Sequence, residues 1–114
     1  MINEDEVARI ALALPGANQS AHFDVTDFRV RNKIFCTLPR PGVAVVRIDP
    51  AEQAALIEED PSTFSAPENA YGRNGWTTVE LATVDPVQLR ELITEAWRRL
   101  APKKLLAALD TDQA

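Results

Sequence analysis

Three segments of the chain open with the same helix-capping pattern, in which an Asn or Asp is followed three residues later by a Glu or Gln. The pattern occurs at residues 3–6, 49–52 and 85–88. The first side chain accepts a hydrogen bond from an unpaired backbone N–H, and the second can reach back to the N–H of the cap residue. In the second and third segments a proline occupies the first helical position, where its missing N–H costs nothing. The pattern therefore predicts three helix starts.

The first and last of these helices show the apolar stripe of an amphipathic helix. The stripe of the first helix is Val7, Ile10, Ala11 and Leu14. The stripe of the last helix is Leu89, Leu92, Ile93, Ala96, Trp97 and Leu100. Prolines at 15 and 102 end these two helices, and "KKLLAAL" predicts a short terminal helix. The middle helix, about 50–59, is short and acidic.

A strand is predicted in the stretch "DFRVRNKIF", which begins at Asp27. Apolar Phe28 and Val30 alternate there with the cations Arg29 and Arg31. Alternation of this kind is typical of a strand with one buried face, so we expect the apolar pair to face the helices and the two arginines to face outward. The asparagine that follows sits where a tight turn favours a residue that tolerates positive φ.

Further strands are predicted at 33–38, 43–48, 62–64 and 76–81. The elements then follow the order α-β-β-β-α-β-β-α, which is typical of a two-layer α+β domain. We expect an antiparallel sheet of about five strands with helices packed against one face. The length of 114 residues suits a single domain, 1–114.

Composition excludes several classes of protein. One cysteine and one histidine leave neither an intramolecular disulfide nor a Cys/His zinc cluster. The acidic N-terminus and the lack of a long apolar run predict a cytoplasmic protein without membrane contact. The formal charge of -5 opposes nonspecific nucleic-acid binding, yet residues 27–48 contain five Lys and Arg against one Asp. Residues 49–72 contain six acidic residues and no base.

No arrangement typical of catalysis is visible. His22 follows a small polar loop, and neither a G-x-S-x-G elbow nor a cysteine-based signature is present. The preferred interpretation gives His22 a structural role beside a strand and makes Cys36 a small hydrophobic residue of the core. No catalytic residue, metal site or cofactor is therefore predicted.

The segment "NAYGRNGW", residues 69–76, allows two interpretations. It is either a glycine-turned loop in which Trp76 anchors the next strand, or a recognition loop. In the second case Arg73 is presented to an anion, and Tyr71 or Trp76 stacks on a base or a ligand. The first interpretation is the simpler one.

Five stretches together resemble the MmcQ/YjbR family of small bacterial proteins over nearly the whole chain. They are "LPGANQSAHF", "FRVRNKIFCTL", "RIDPAEQAALIEEDP", "YGRNGWTTVEL" and "LRELITEAWRRLAPKKL". The resemblance implies a two-layer fold similar to that of secretion-chaperone-like proteins. Members are commonly labelled DNA-binding, and the resemblance supplies no catalytic or cofactor residue. A glycine often seen in the hairpin turn of the family is Asn32 in this chain.

Three functions follow as hypotheses. The first is a non-enzymatic DNA-binding module whose contact would be weak and salt-sensitive. Its anion contacts would be Arg29, Arg31, Lys33, Arg40 and Arg73, and its stacking residues Tyr71 and Trp76. The second is a protein-interaction or adaptor module with an acidic partner. The third is a small-ligand binder or enzyme, with a pocket formed by the 69–76 loop, Glu68 and His22.

Overall fold

The chain forms five helices and six strands in the computed structural model, which describes residues 2–113 and the side chains of residues 2–110. The helices are α1 Glu4–Leu12, α2 Pro50–Glu59, α3 Ala70–Arg73, α4 Pro86–Arg98 and α5 Lys103–Gln113. The strands are β1 Ala17–His22, β2 Val25–Val30, β3 Lys33–Arg40, β4 Val43–Arg47, β5 Phe64–Ser65 and β6 Trp76–Glu80.

All six strands join one antiparallel sheet in the order β1-β2-β3-β4-β6-β5. The predicted α+β class and the antiparallel sheet with packed helices are confirmed. The strand that the sequence analysis missed is β1, which pairs with β2 from Ala17↔Val30 to His22↔Val25. Its sequence, "ANQSAH", has neither apolar alternation nor β-branched residues. Pairing of its backbone with β2, rather than its side chains, explains why it is a strand.

The three predicted helix starts are confirmed by their cap hydrogen bonds. The Asn3 side chain accepts from the Glu6 N–H at 2.9 Å, and Asp85 accepts from the Gln88 N–H at 3.0 Å. Asp49 accepts from the N–H two residues ahead at 2.8 Å. Within the described residues, no helix combines the length and the apolar character that crossing a membrane requires.

Two tight turns connect the first three strands. The β2–β3 turn consists of Arg31 and Asn32, with φ of 51° and 63°, so both residues have the positive φ of a type I′ turn. Arg31 therefore lies in the turn, and its predicted place on the outward face of a strand was wrong. The β1–β2 turn has the same form, with Phe23 at φ 48° and Asp24 at φ 64°.

The core lies between one face of the sheet and the helices. Phe28, Val30 and Cys36 are fully buried there together with Trp97 of α4, as the alternation of the strand predicted for the first two. The indole N–H of Trp97 donates to the Pro15 carbonyl at 3.0 Å and so links α4 to the turn between α1 and β1. Among the described residues, the helices that form this core do not cover the opposite face of the sheet, which we call the open face.

Candidate functional site

The open face is defined by residues that lie directly opposite one another on neighbouring strands, because such partners project to the same side of a sheet. The pairs that establish it are Ser20↔Asp27, Asp27↔Thr37, Arg29↔Ile34, Thr37↔Val45, Val45↔Thr78 and Arg47↔Trp76. Several of these side chains are apolar, although a fully solvated sheet face is normally polar. These apolar side chains make the open face the candidate binding surface of the protein.

A cleft of about 340 Å³ opens on this face. It is lined by His22, Ile34, Thr37, Val45, Pro67, Tyr71 and Trp76. The lining thus combines residues of four strands with two residues from the segment that contains α3. Apart from one histidine, one threonine and the tyrosine hydroxyl, the side chains that line it are apolar or aromatic.

The segment that contributes Tyr71 is fixed by its own hydrogen bonds. The Asn69 side chain caps α3 by accepting from the N–H of Tyr71 at 2.9 Å. Gly75 has a φ of 96°, and its carbonyl accepts from the Ile48 N–H at 2.9 Å. A side chain at Gly75 would collide with the Ile48 carbonyl. The loop therefore holds Tyr71 and Trp76 in place, and Gly75 is required by both its conformation and its surroundings.

Trp76 is also held from neighbouring elements. Its carbonyl accepts from the side-chain amide of Gln53 on α2 at 3.0 Å. The guanidinium of Arg47 lies 5.9 Å from the centre of the indole ring, a cation–π arrangement, and Arg47 Nε donates to the Asn74 carbonyl at 3.2 Å. Trp76 is thus held by α2 and by Arg47, and its side chain lines the cleft as well.

At the β1–β2 side of the cleft, the buried carboxylate of Asp27 contacts the side chains of Arg29 and His22. Asp27 is fully buried and accepts from Arg29 through Nε at 2.8 Å and Nη2 at 3.0 Å. Its second oxygen also contacts His22 Nδ1 at 2.8 Å. The hydrogen bond from Arg29 lowers the pKa of the Asp27 carboxyl, burial opposes that shift, and the His22 contact reinforces it. Asp27 is therefore ionised at neutral pH.

The five cations named as anion contacts do not lie together. Arg29 is neutralised by Asp27. Arg31 and Lys33 are exposed at the β2–β3 turn. Lys33 begins β3 and Arg40 ends it, so these two residues lie about 23 Å apart at the usual rise per residue. Arg73 is exposed on α3. In the part of the chain whose side chains are described, the side chains of Arg31, Lys33 and Arg73 have no hydrogen-bond or ion-pair partner.

Sequence reasoning named three of the cleft residues, His22, Tyr71 and Trp76, and missed the others. Ile34 and Val45 gave one available signal, because each is an apolar residue on the outward face of its strand. Glu68, the acid that the third hypothesis placed beside this pocket, is exposed and does not line the cleft.

Cysteine and metal chemistry are not supported by the described residues. Cys36 is fully buried, which confirms its predicted place in the core, and burial raises the pKa of its thiol to about 12. Among the residues that the structure describes, no group of three or more His, Cys, Asp or Glu side chains could hold a metal ion.

The model of the YjbR family matches residues 12–99 of the chain, a segment that contains the whole sheet and the cleft. The chain belongs to the YjbR family. Uncharacterized proteins of Mycobacterium bovis and Mycobacterium tuberculosis are each 33% identical to this YjbR protein over 128 aligned positions, which cover 95% of both chains.

A solved structure shows the same YjbR fold. The crystal structure of a Deinococcus radiodurans protein with a DUF419 domain is similar to this chain with a TM-score of 0.75 and 21% sequence identity. The similarity covers 93% of this chain and 86% of the other. At this identity it supports the fold, and the function of the YjbR cleft has to be argued from its own residues.

Proposed function

We propose that this YjbR protein is a binding module whose cleft on the open face receives a planar, largely apolar ligand. The proposal depends on the lining of the cleft, in which Ile34 and Val45 are apolar and Tyr71 and Trp76 add two aromatic rings. Ligand sites are typically concave, with apolar and aromatic walls and a few polar groups that set orientation. A flat ring system suits such a site because aromatic side chains stack on it or contact its edge.

Binding is proposed rather than catalysis. The imidazole of His22 contacts a carboxylate through Nδ1, and within the described residues no hydroxyl or thiol is hydrogen-bonded to it. The one thiol of the chain, Cys36, is buried on the other side of the sheet. A nucleophile activated by a base is therefore not present in the cleft of this structure.

A titration with 1-methylindole, a planar probe without a hydrogen-bond donor, tests the proposal. In amide ¹H–¹⁵N NMR spectra we expect saturable shifts at the cleft residues, among them Ile34, Thr37 and Val45. Tyr71→Ser should weaken binding by about twofold to tenfold, the range that one aromatic contact supplies. The matched control is Val87→Ser, which removes another exposed apolar side chain, on α4. Unsaturable shifts, or equal weakening by both variants, would contradict the proposal.

DNA binding is the second candidate, and three exposed cations whose side chains have no partner, Arg31, Lys33 and Arg73, favour it. Arg31, Lys33 and Arg73 are free to contact phosphates, but Arg29 is not, because Asp27 already neutralises it. Three contacts predict weak binding whose logarithm falls with the logarithm of salt concentration with a slope of about −3. The acidic net charge of -5 adds to the weakness.

Fluorescence anisotropy with a short labelled duplex at low salt tests this candidate. The double variant Arg31→Ala/Lys33→Ala should abolish most of the binding. Lys103→Ala/Lys104→Ala removes two exposed cations from the start of α5 and serves as the control of equal charge. DNA binding is rejected if the wild type does not bind or if both double variants lose affinity equally.

The protein-interaction hypothesis stays a prediction supported by one feature of the sheet. β1 is an edge strand, and all four of its central residues are exposed. An extended segment of a partner could add to such an edge through backbone hydrogen bonds. Amide exchange that slows in β1 when a partner is added would support this mode of binding.

A further inference from the structure

We infer that His22 Nε2 accepts a hydrogen bond from the ligand, so that the cleft prefers planar aromatic compounds with an N–H or O–H donor on the ring system. The inference rests on the proposed function of the cleft and specifies which ligands the cleft selects. It gives His22 a binding role that the sequence analysis did not favour.

The proton of the neutral His22 imidazole is placed by Asp27, whose Oδ2 lies 2.8 Å from His22 Nδ1. An ionised carboxylate can only accept hydrogen bonds, so Nδ1 must be the donor in this contact. Asp27 is kept ionised because both of its oxygens also accept from the Arg29 guanidinium. The neutral imidazole therefore has its proton on Nδ1, and Nε2 has a free lone pair.

The His22 ring is accessible to a ligand, because His22 lines the cleft and its side chain is 37% exposed. Nε2 has no hydrogen-bond partner in the part of the protein whose side chains are described. The Phe23 ring packs edge to face against the imidazole, with 6.4 Å between the two ring centres, and has no donor to offer Nε2. A fixed acceptor without a partner thus lies at the margin of an apolar, aromatic cleft.

Three other described residues that line the cleft have side chains that can form hydrogen bonds, namely Thr37, Tyr71 and Trp76. The two hydroxyl groups both donate and accept, and the indole N–H of Trp76 only donates, so none of the three favours a ligand with a donor over a ligand with an acceptor. In its Nδ1–H tautomer, His22 can only accept at Nε2. A preference for donors therefore distinguishes a role of His22 from a role of the other three side chains.

A pair of matched probes measures that preference. Indole and 1-methylindole have the same ring system and differ by an N–H donor in the first and a methyl group in the second. We expect wild-type protein to bind indole about threefold to tenfold more tightly, the net effect of one hydrogen bond. In His22→Phe the ring is kept and the acceptor lost, so the ratio should fall to about one. Asp27 stays paired with Arg29 in that variant, which protects the fold.

Two controls separate His22 from its surroundings. Thr37→Val should keep the preference for indole, because it removes a hydroxyl and leaves the imidazole unchanged. His22 is the only histidine of the chain, so long-range ¹H–¹⁵N spectra of its ring can be assigned without ambiguity. Where the imidazole is neutral, those spectra should show the Nδ1–H tautomer in the free protein.

Each outcome distinguishes the inference from the function on which it rests. Equal binding of the two probes, a preference that persists in His22→Phe, or an Nε2–H tautomer overturns the role of His22 and leaves the cleft as an apolar binding site. Failure of both probes to bind overturns the cleft function and the inference together. Preference for indole in the wild type and in Thr37→Val, with its loss in His22→Phe, supports the inference.

Discussion

At the level of single residues, Asp27 connects the stability of the fold with the proposed site, because it contacts both Arg29 and the cleft residue His22. It is fully buried, and it is charged because Arg29 and His22 surround it with hydrogen bonds. Removal of a buried charge from such a group leaves its partners unsatisfied. The strand alternation could not reveal this arrangement, because the sequence shows Asp27 and Arg29 only as two outward residues of opposite charge.

We predict that Asp27→Asn lowers the free energy of unfolding by about 2 kcal/mol at neutral pH. The folded-state pKa of Asp27 is depressed, so its contribution is present above the ordinary Asp pKa of about 3.9 and is lost as pH falls through the folded-state pKa. The difference between variant and wild type should therefore shrink in acid. Urea unfolding across this pH range measures it, with Asp24→Asn in the exposed turn as the control. A difference independent of pH would contradict the assignment.

At the level of elements, the chain shows which parts of a fold are encoded locally. The helix starts were predictable because a cap and its hydrogen bond lie within one turn of helix, as at Asn3 and Asp85. β1 and α3 were not predicted, since β1 is placed by its pairing with β2, and α3 is a single turn capped by Asn69. The cleft depends on residues far apart in the chain, so only its individual apolar members could be recognised from sequence.

The loop between α3 and β6 provides a test of backbone fit at Gly75. Gly42 and Gly75 both have positive φ, 81° and 96°, but only at Gly75 would a side chain meet the backbone of another element. Gly42→Ala should cost about 1 kcal/mol for the unfavourable φ alone. Gly75→Ala should cost about 2–4 kcal/mol, because the loop must also move away from the Ile48 carbonyl.

Thermal unfolding of the two glycine variants measures these costs side by side. Gly75→Ala should also weaken binding of 1-methylindole, since Tyr71 and Trp76 flank the displaced loop, whereas Gly42→Ala should bind normally. Equal losses of stability in the two variants would show that contact with the Ile48 carbonyl is not what requires a glycine at position 75.

At the level of the whole molecule, the single thiol reports on the integrity of the core. Cys36 is fully buried between sheet and helices, and burial raises the pKa of its thiol to about 12. A thiol with so high a pKa is almost entirely protonated near pH 8 and reacts slowly with alkylating reagents. Reaction therefore requires opening of the fold.

We predict that iodoacetamide labels native Cys36 at least about 10³-fold more slowly than the unfolded chain, as expected for a domain of ordinary stability. Mass spectrometry of timed samples measures the rate, and the chain in denaturant supplies the reference. Saturating 1-methylindole should slow labelling further, because a ligand that binds only the folded state stabilises it. Fast labelling without denaturant would mean that the sheet opens locally at β3.

The separation of the sheet into a core face and an open face also has an evolutionary consequence. Some side chains of β3 pack in the core, whereas Ile34 and Thr37 line the cleft. Neighbouring positions of one strand therefore have different roles. Under the proposed function, substitutions at Ile34 or Thr37 can change which compounds are bound while the core residues of the strand stay the same. Such a scaffold can acquire new specificities through single mutations, and related chains that share the fold are free to differ in the molecules they recognise.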